Sequence, residues 1–216
     1  IMPKIIKPVA KGEIAVPTIQ VDGDGRVFSA SAGSAGGGGY VPVTIDTDGG
    51  SGTYTTSSST SKMMLYLQGG GGGGGGNGGG QPGGPGGGTG GRGGYGISVH
   101  EVDASTGYAY SLGSGGGNGN AANPGNAGSS GNASTFGSPS TFMTANAGTG
   151  GEGGYHVNQG NRGGNPGSNG NTSVNTGTQT LTNYSPATFL GINNSSNGGS
   201  TRVAGSPGRM YVWEDV

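Results

Sequence analysis

The sequence predicts an all-β fold with extended polyglycine II helices: short β-strands packed with a bundle of Gly-rich left-handed helices. Three observations predict it. Glycine makes up 58 of 216 residues, about 27 % of the chain against a usual ~7 %. Apolar residues are 28 % and charged residues 9 %, too few for a conventional core of Leu, Ile and Val. The glycines are also gathered into tracts that alternate with short apolar segments, in runs and irregular spacings unlike the strict third-residue period of collagen. A helix bundle is disfavoured because glycine costs about 1 kcal/mol at each α-helical position. A linker-like disordered chain suits the composition, but not the nine Tyr, four Phe and one Trp or the strand-like segments between the tracts.

The N-terminal stretch is poor in glycine, with three in residues 1–32. Residues 5–9 are extended, since the residue before Pro8 is biased away from the α region. Residues 13–21 read as a strand interrupted by Pro17, hence an edge or a bulge. The run 22–25 (DGDG) is a turn, and 26–28 resume the strand. Residues 40–45 form another strand and 46–52 a second turn. The Thr/Ser run 54–61 suits an exposed strand or an extended linker. Residues 62–68 (KMMLYLQ) are the strongest strand in the chain. Their apolar residues are continuous, as expected when both faces are covered.

Directly after that strand come 20 glycines in residues 69–94. Pro82 and Pro85 preset φ near −65°, which matches the polyproline II conformation. One such helix has no internal hydrogen bonds. Packed side by side, glycine helices have no Cβ to hold their backbones apart, so N–H and C=O groups pair between neighbours. Ordering each residue costs about 1–2 kcal/mol, with glycine at the top of the range, so many neighbours must form together. The packing glycines expected here are Gly69, Gly72, Gly75, Gly83, Gly86 and Gly93.

Residues 95–101 (YGISVHE) alternate, with Tyr95, Ile97 and Val99 on one face and Gly96, Ser98 and His100 on the other. A turn at 103–107 and a strand at 108–112 complete an expected hairpin. A second Gly/Asn tract fills 113–131. Phe136 and Met143 flank a turn at 137–139. A third tract (148–154), a short strand (155–157), a fourth, Asn-rich tract (160–177) and a final strand (209–214) follow. The result is a rough repeat of glycine tract and short strand, with no fixed period. Tyr66, Tyr95, Val99, Tyr211 and Trp213 are the expected small core.

Net charge is −1, with nine basic and ten acidic residues spread thinly, which argues against a nucleic-acid partner. There is no Cys, which excludes disulfide scaffolds and thiolate metal sites. The longest wholly apolar run, residues 63–67, is too short to span a membrane, so no membrane insertion is expected. Asp22 with Asp24, and Asp46 with Asp48, stand at calcium-like spacing without the rest of an EF-hand loop, and read as turn acids. His100 beside Glu101 and His156 near Glu152 admit a metal or acid–base pair, but an ordinary strand or surface histidine is the favoured reading. No Ser/His/Asp constellation stands out, so no catalytic residue, cofactor or metal is assigned and the chain is not expected to be an enzyme.

Met63-Met64-Leu65-Tyr66-Leu67-Gln68 running into eight glycines resembles the entry strand of the glycine-rich domain of bacteriophage tail-fibre and tail-tip adhesin proteins. Gly91-Arg92-Gly93-Gly94-Tyr95 looks like the exit into the next strand. Residues 108–117 (YAYSLGSGGG), 131–137 (GNASTFG) and the closing 205–214 are similar to further elements of that family. The resemblance covers about residues 55–216 and implies bundles of polyglycine II helices joined to β-structure, with loops between the helices contacting the bacterial surface. It implies a non-enzymatic virion protein of the tail or fibre. Its residues 1–50 would be an attachment or assembly segment binding other virion proteins, and 51–216 the glycine-rich domain. A fibre implies a homotrimer, and a tip implies a bacterial surface protein or glycan as partner. The alternatives are a capsid or tail decoration protein, and an ice-binding or extracellular structural glycine-rich protein, the former of which needs a flat Thr/Ser/Ala face.

Aromatics with neighbouring amides suit carbohydrate or protein recognition. On that ground Tyr108, Tyr110, Asn118, Asn120, Phe136, Phe142, Tyr155, Asn158, Gln159, Asn169 and Tyr184 are the receptor-contact candidates, all in or beside the glycine tracts. For the aromatics, membership of the core is the competing reading.

Overall fold

The structure, a computed structural model, describes residues 18–21, 27–31, 40–43, 49–79, 85–137, 140–157, 160–174, 179–180 and 203–215. The chain divides into two units, Ile1–Gly39 and Tyr40–Val216. In the first, β1 (Thr18–Val21) and β2 (Val27–Ser31) pair antiparallel, with a register shift between Gln20 and Val21. The turn expected at 22–25 and residues 46–48 of the turn expected at 46–52 lie outside the described residues, and residues 50–52 of the latter are strand instead, because they pair with residues 110–112.

The second unit contains β3 (Tyr40–Val43), β4 (Gly50–Thr55), β5 (Lys62–Gln68), β6 (Tyr95–Glu101), β7 (Gly107–Leu112), β8 (Ser134–Phe136), β9 (Met143–Ala145), β10 (Tyr155–Val157), β11 (Gly160–Arg162), β12 (Thr172–Val174), β13 (Gln179–Thr180) and β14 (Arg209–Asp215). Two five-stranded antiparallel sheets run β12-β9-β8-β7-β4 and β13-β6-β5-β14-β3, and β10 and β11 form a separate hairpin. The described part is thus all-β. Pairing of β3 with β14, Tyr40 opposite Asp215, ties residues 40–43 into the second unit.

The core lies between the two sheets. Met63, Leu65 and Leu67 of β5 and Met210 and Val212 of β14 meet Tyr54, Tyr108, Leu112, Phe136 and Met143 from the other sheet. Met64, Tyr66 and Ile97 are buried on the opposite face, with Val99, Tyr211 and Trp213 packed against them. Strand β5 is therefore buried from Met63 to Gln68, which is why its apolar run is unbroken. Tyr95, expected in the core, is 41 % exposed. The hairpin expected between residues 95–101 and 108–112 does not form. Strand β6 pairs with β5 and β13, whereas β7 pairs with β4 and β8. The turn between them, with Ser105 at φ 52°, carries the chain from one sheet to the other.

The glycine tracts extend the sheets. Seven extended segments are described: I (69–79), II (85–94), III (113–122), IV (125–133), V (146–154), VI (163–171) and VII (203–208). Segments II, I and VII adjoin β6, β5 and β14, and VI, V, IV and III adjoin β12, β9, β8 and β7. Lateral order is kept across the junction, so each sheet passes into a row of backbone segments. Every N–H from Gly69 to Gly76 donates to a carbonyl at 2.8–2.9 Å, in a three-residue cycle. Gly69, Gly72 and Gly75 bond to segment II, Gly70, Gly73 and Gly76 to IV, and Gly71 and Gly74 to VII. In return Gly148, Gly151 and Gly154 of segment V donate to Gly70, Gly73 and Gly76, and Gly116 and Gly119 of segment III donate to Gly71 and Gly74. Segment I is thus hydrogen-bonded to five others. A β-ladder repeats every two residues; this one repeats every three.

That geometry dictates where glycine is needed. At Gly70, Gly72, Gly73, Gly75 and Gly76 an added Cβ would lie under 3.0 Å from a backbone carbonyl oxygen. The same holds at Gly69 and Gly93, but at Gly86 a Cβ meets nothing within 4 Å. Of the expected packing glycines, then, Gly69, Gly72, Gly75 and Gly93 are closed in and Gly86 is not, while Gly83 lies outside the described residues. The peripheral segments IV and VI need glycine only at each third position. Gly125, Gly128 and Gly131 face the carbonyls of Gly76, Gly73 and Gly70, and Gly164, Gly167 and Gly170 those of Glu152, Thr149 and Asn146. Between them stand exposed Asn126, Ala127, Ser129, Ser130, Asn165, Ser168, Asn169 and Asn171. A three-residue period therefore exists inside the tracts, though none runs through the chain as a whole.

Candidate functional site

Segments I and II, III and IV, and V and VI meet in pairs at the end away from the sheets, whereas II and III, and IV and V, are joined through the strands. Segment I turns at Gly79 (φ 81°) and segment II starts at Pro85, whose carbonyl accepts from Gly78 at 2.9 Å. Ala122 donates to Asn77 at 3.2 Å, and segment IV begins three residues on, with Gly125 donating to Gly154 at 2.8 Å. Segment V runs into β10, β11 returns the chain to segment VI, and Gly164 donates to Gly86 at 3.0 Å. These bonds hold residues 76–79, 85–86, 122–125, 154 and 164 at one level. Tyr155 follows immediately and is 41 % exposed. Asn77 Oδ1 is buried there without a hydrogen-bond partner.

The other expected contact residues are dispersed. Phe136 is fully buried and Tyr108 nearly so. Both are core residues, not contact residues, because their strands turn those side chains inward onto β5 and β14. Phe142 is half-buried and stacks on His100, with centroids 4.9 Å apart. Tyr110 is half-buried, with its ring against Gly52, where an added Cβ would lie 2.8 Å from the phenol oxygen. Asn118, Asn120 and Asn169 are exposed on the flanks of the bundle, and Asn169 Oδ1 accepts from the Arg92 N–H at 2.9 Å. Asn158, Gln159 and Tyr184 lie outside the described residues. Of the described candidates, Tyr155 and Asn120, whose carbonyl accepts from the Asn126 N–H at 3.0 Å beside Gly76, stand near the level of the turns, and Tyr155 is the aromatic one.

Of the histidine and acid pairs read from the sequence, the side chain of His156 lies outside the described residues. His100 is buried and bonded through Nε2 to Ser98 Oγ at 2.6 Å. Glu152 meets Asn165, whose Nδ2 donates to it at 2.8 Å. Among the described residues no three His, Asp or Glu side chains stand close enough to hold a metal ion, and no helix is long and apolar enough to cross a membrane.

Two features escaped the sequence reading. The first is a buried carboxylate. Glu214 on β14 accepts from the Tyr54 hydroxyl, from Thr60 Oγ1 at 2.7 Å and from the Ser57 N–H at 3.1 and 3.2 Å. Burial pushes its carboxyl up, but the hydrogen bonds from Tyr54, Thr60 and Ser57 outweigh this and hold it below the ordinary value. Burial, then the hydrogen bond and charge of Glu214, push the Tyr54 phenol far up. Asp215 accepts from Ser61 N, Ser61 Oγ and Lys62 N at 3.0, 2.9 and 2.6 Å. The two acids so fasten β14 to residues 54–62. Neither pairing has a sequence signature, since the partners are some 150–160 residues apart.

The second is a hollow of about 580 Å³ at the end of the sheets remote from the turns. Lys62, Glu101, Asp103 and Ser140 line it together with Tyr108 and Phe142. No protein-family model matches the chain, and no curated protein matches its sequence.

Proposed function

We propose that the glycine segments are polyglycine II helices and that the protein is a non-enzymatic structural component of a bacteriophage virion, in the tail fibre or tail tip, contacting the host surface. One observation carries the helical reading: N–H groups of successive residues in segment I point to three different neighbours and return to the first every third residue. This is the symmetry of a three-residue-per-turn helix without internal hydrogen bonds. Such a bundle is a stiff rod that needs no large apolar core. In this reading residues 1–50 join other virion proteins, a fibre is a homotrimer, and the end carrying the turns is the receptor end. Tyr155 is then the contact residue of first choice, because an exposed aromatic supplies much area at small entropic cost.

The location is tested by immunolabelling of virions with an antibody to residues 95–216, viewed in negative stain. Label on the tail is expected. Label on the capsid shell would overturn the fibre reading in favour of a decoration protein. The contact is tested by Tyr155→Ala, which is expected to weaken binding of the isolated protein to susceptible bacterial cells about 10-fold or more without changing its melting temperature. Unchanged binding removes Tyr155 from the contact.

A further inference from the structure

We propose that Asn77, Asn118 and Asn169 are deamidation sites whose reactivity is shut off by the hydrogen-bonded segments and exposed only when the bundle opens. Each is followed by glycine: Gly78, Gly119 and Gly170. An Asn–Gly pair is the most reactive setting for this chemistry, because no Cβ on the following residue obstructs ring closure and its backbone is unusually free. The glycine nitrogen attacks the Asn Cγ. A new N–Cγ bond forms and the Cγ–Nδ2 bond breaks; the proton lost by the attacking nitrogen is passed through solvent to Nδ2, which leaves as ammonia. Water then opens the cyclic imide to aspartate or isoaspartate. No oxidant or reductant is required.

In the folded protein the attacking nitrogen is engaged at all three sites. Gly78 donates to the Pro85 carbonyl at 2.9 Å, Gly119 to Gly74 at 2.8 Å and Gly170 to Arg92 at 2.8 Å. Each bond belongs to a three-residue series: Gly78 follows Gly75, Gly119 follows Gly116, and Gly170 follows Gly167 and Gly164. At Asn169 the carboxamide is pinned as well, through Oδ1 on the Arg92 N–H. Exclusion of water is not the protecting factor, since Asn118 and Asn169 are exposed. What blocks the reaction is the hydrogen bond that holds the N–H of the following glycine at each site.

The consequence is one-way. Isoaspartate lengthens the main chain by one atom, which a ladder repeating every three residues cannot absorb. A bundle that stays open long enough to form isoaspartate therefore cannot re-form its register at that site, and both products record the opening. The inference rests on these hydrogen bonds and is independent of any role in a virion.

The test compares the intact chain, folded, at mildly alkaline pH with the same chain in concentrated guanidinium chloride, by peptide mass spectrometry over time. Circular dichroism verifies that the first sample stays folded. In denaturant all three asparagines are expected to convert. In the folded sample each should convert about 100-fold more slowly or less, because reaction must wait for opening. Conversion of any one of the three within a few-fold of its denatured rate would overturn the proposal for that site. Conversion of Asn118 and Asn169 together at denatured rates would overturn it altogether.

Discussion

Replacing Gly73 by alanine is expected to lower stability by about 3 kcal/mol or more, at the upper end of what overpacking costs. Replacing Gly86 should leave stability unchanged or raise it by about 0.5 kcal/mol. Both positions are glycines in glycine runs, and the sequence gives no ground for treating them differently. In the bundle they differ completely. A Cβ at Gly73 would collide with the backbone carbonyls of Gly117 and Gly116. The residue cannot move aside, because its N–H donates to Ser129 and its carbonyl accepts from Gly151. Any shift that relieves the clash breaks bonds to segments IV and V. A Cβ at Gly86 enters open space, and alanine there restricts the unfolded chain without straining the folded one. Thermal denaturation followed by circular dichroism reads the difference. For a unit of this size Gly73→Ala should lower Tm by about 6–12 °C, with Gly86→Ala close to the parent. Equal effects at the two positions would mean that the segments are not packed as described.

The second large effect is expected at Glu214. The residue is 2 % exposed, and its carboxylate accepts from the Tyr54 and Thr60 hydroxyls and the Ser57 N–H. Glu214→Ala leaves these donors buried and unpaired, for a cost of about 3 kcal/mol. The pH dependence has a definite sign. The carboxyl is held below its ordinary value in the folded protein, so folding favours the ionised form. Its contribution is complete above the unfolded value of about 4.3 and is lost as pH falls through the folded value. Asp215, also held low by its bonds to Ser61 and Lys62 after opposing burial, acts in the same direction. Denaturant midpoints measured from neutral to acid pH should therefore fall below about pH 4 in the parent. The fall should be shallower in Glu214→Gln, which cannot titrate at that position. A parallel fall in both proteins would show that Glu214 does not fasten β14.

Much of the second unit was legible in the sequence because its strands obey simple patterns. The apolar run 62–68 and the segment 95–101 coincide with β5 and β6, since burial on both faces removes polar residues from the first and alternation marks the second. The pairing was less legible. Residues 108–112 read as the partner of 95–101, but the turn between them switches sheets, and nothing local distinguishes that from a hairpin. The glycine tracts announce backbone packing, yet which glycines are closed in depends on how many neighbours each segment has. That number rises from the edge, where Gly125, Gly128 and Gly131 suffice, to the centre, where every residue from 69 to 76 is glycine. The candidate site was least legible. Phe136 and Tyr155 have similar surroundings in sequence, an aromatic beside glycine, and only the direction of their strands sends one into the core and leaves the other exposed.

The central claim is the three-residue ladder of the glycine segments. Amide hydrogen exchange resolved by residue in NMR tests it most directly. Every N–H from Gly69 to Gly76 donates to another segment, so all eight should be strongly protected. In segment IV, Gly125, Asn126, Gly128 and Ser129 donate in the same way and should exchange slowly. Ala127 and Ser130, at the third position of each triplet and exposed, should exchange at close to free-peptide rates. Protection of two residues in every three in segment IV, beside unbroken protection in segment I, is the predicted result. Alternate-residue protection, or fast exchange throughout residues 69–76, would contradict it.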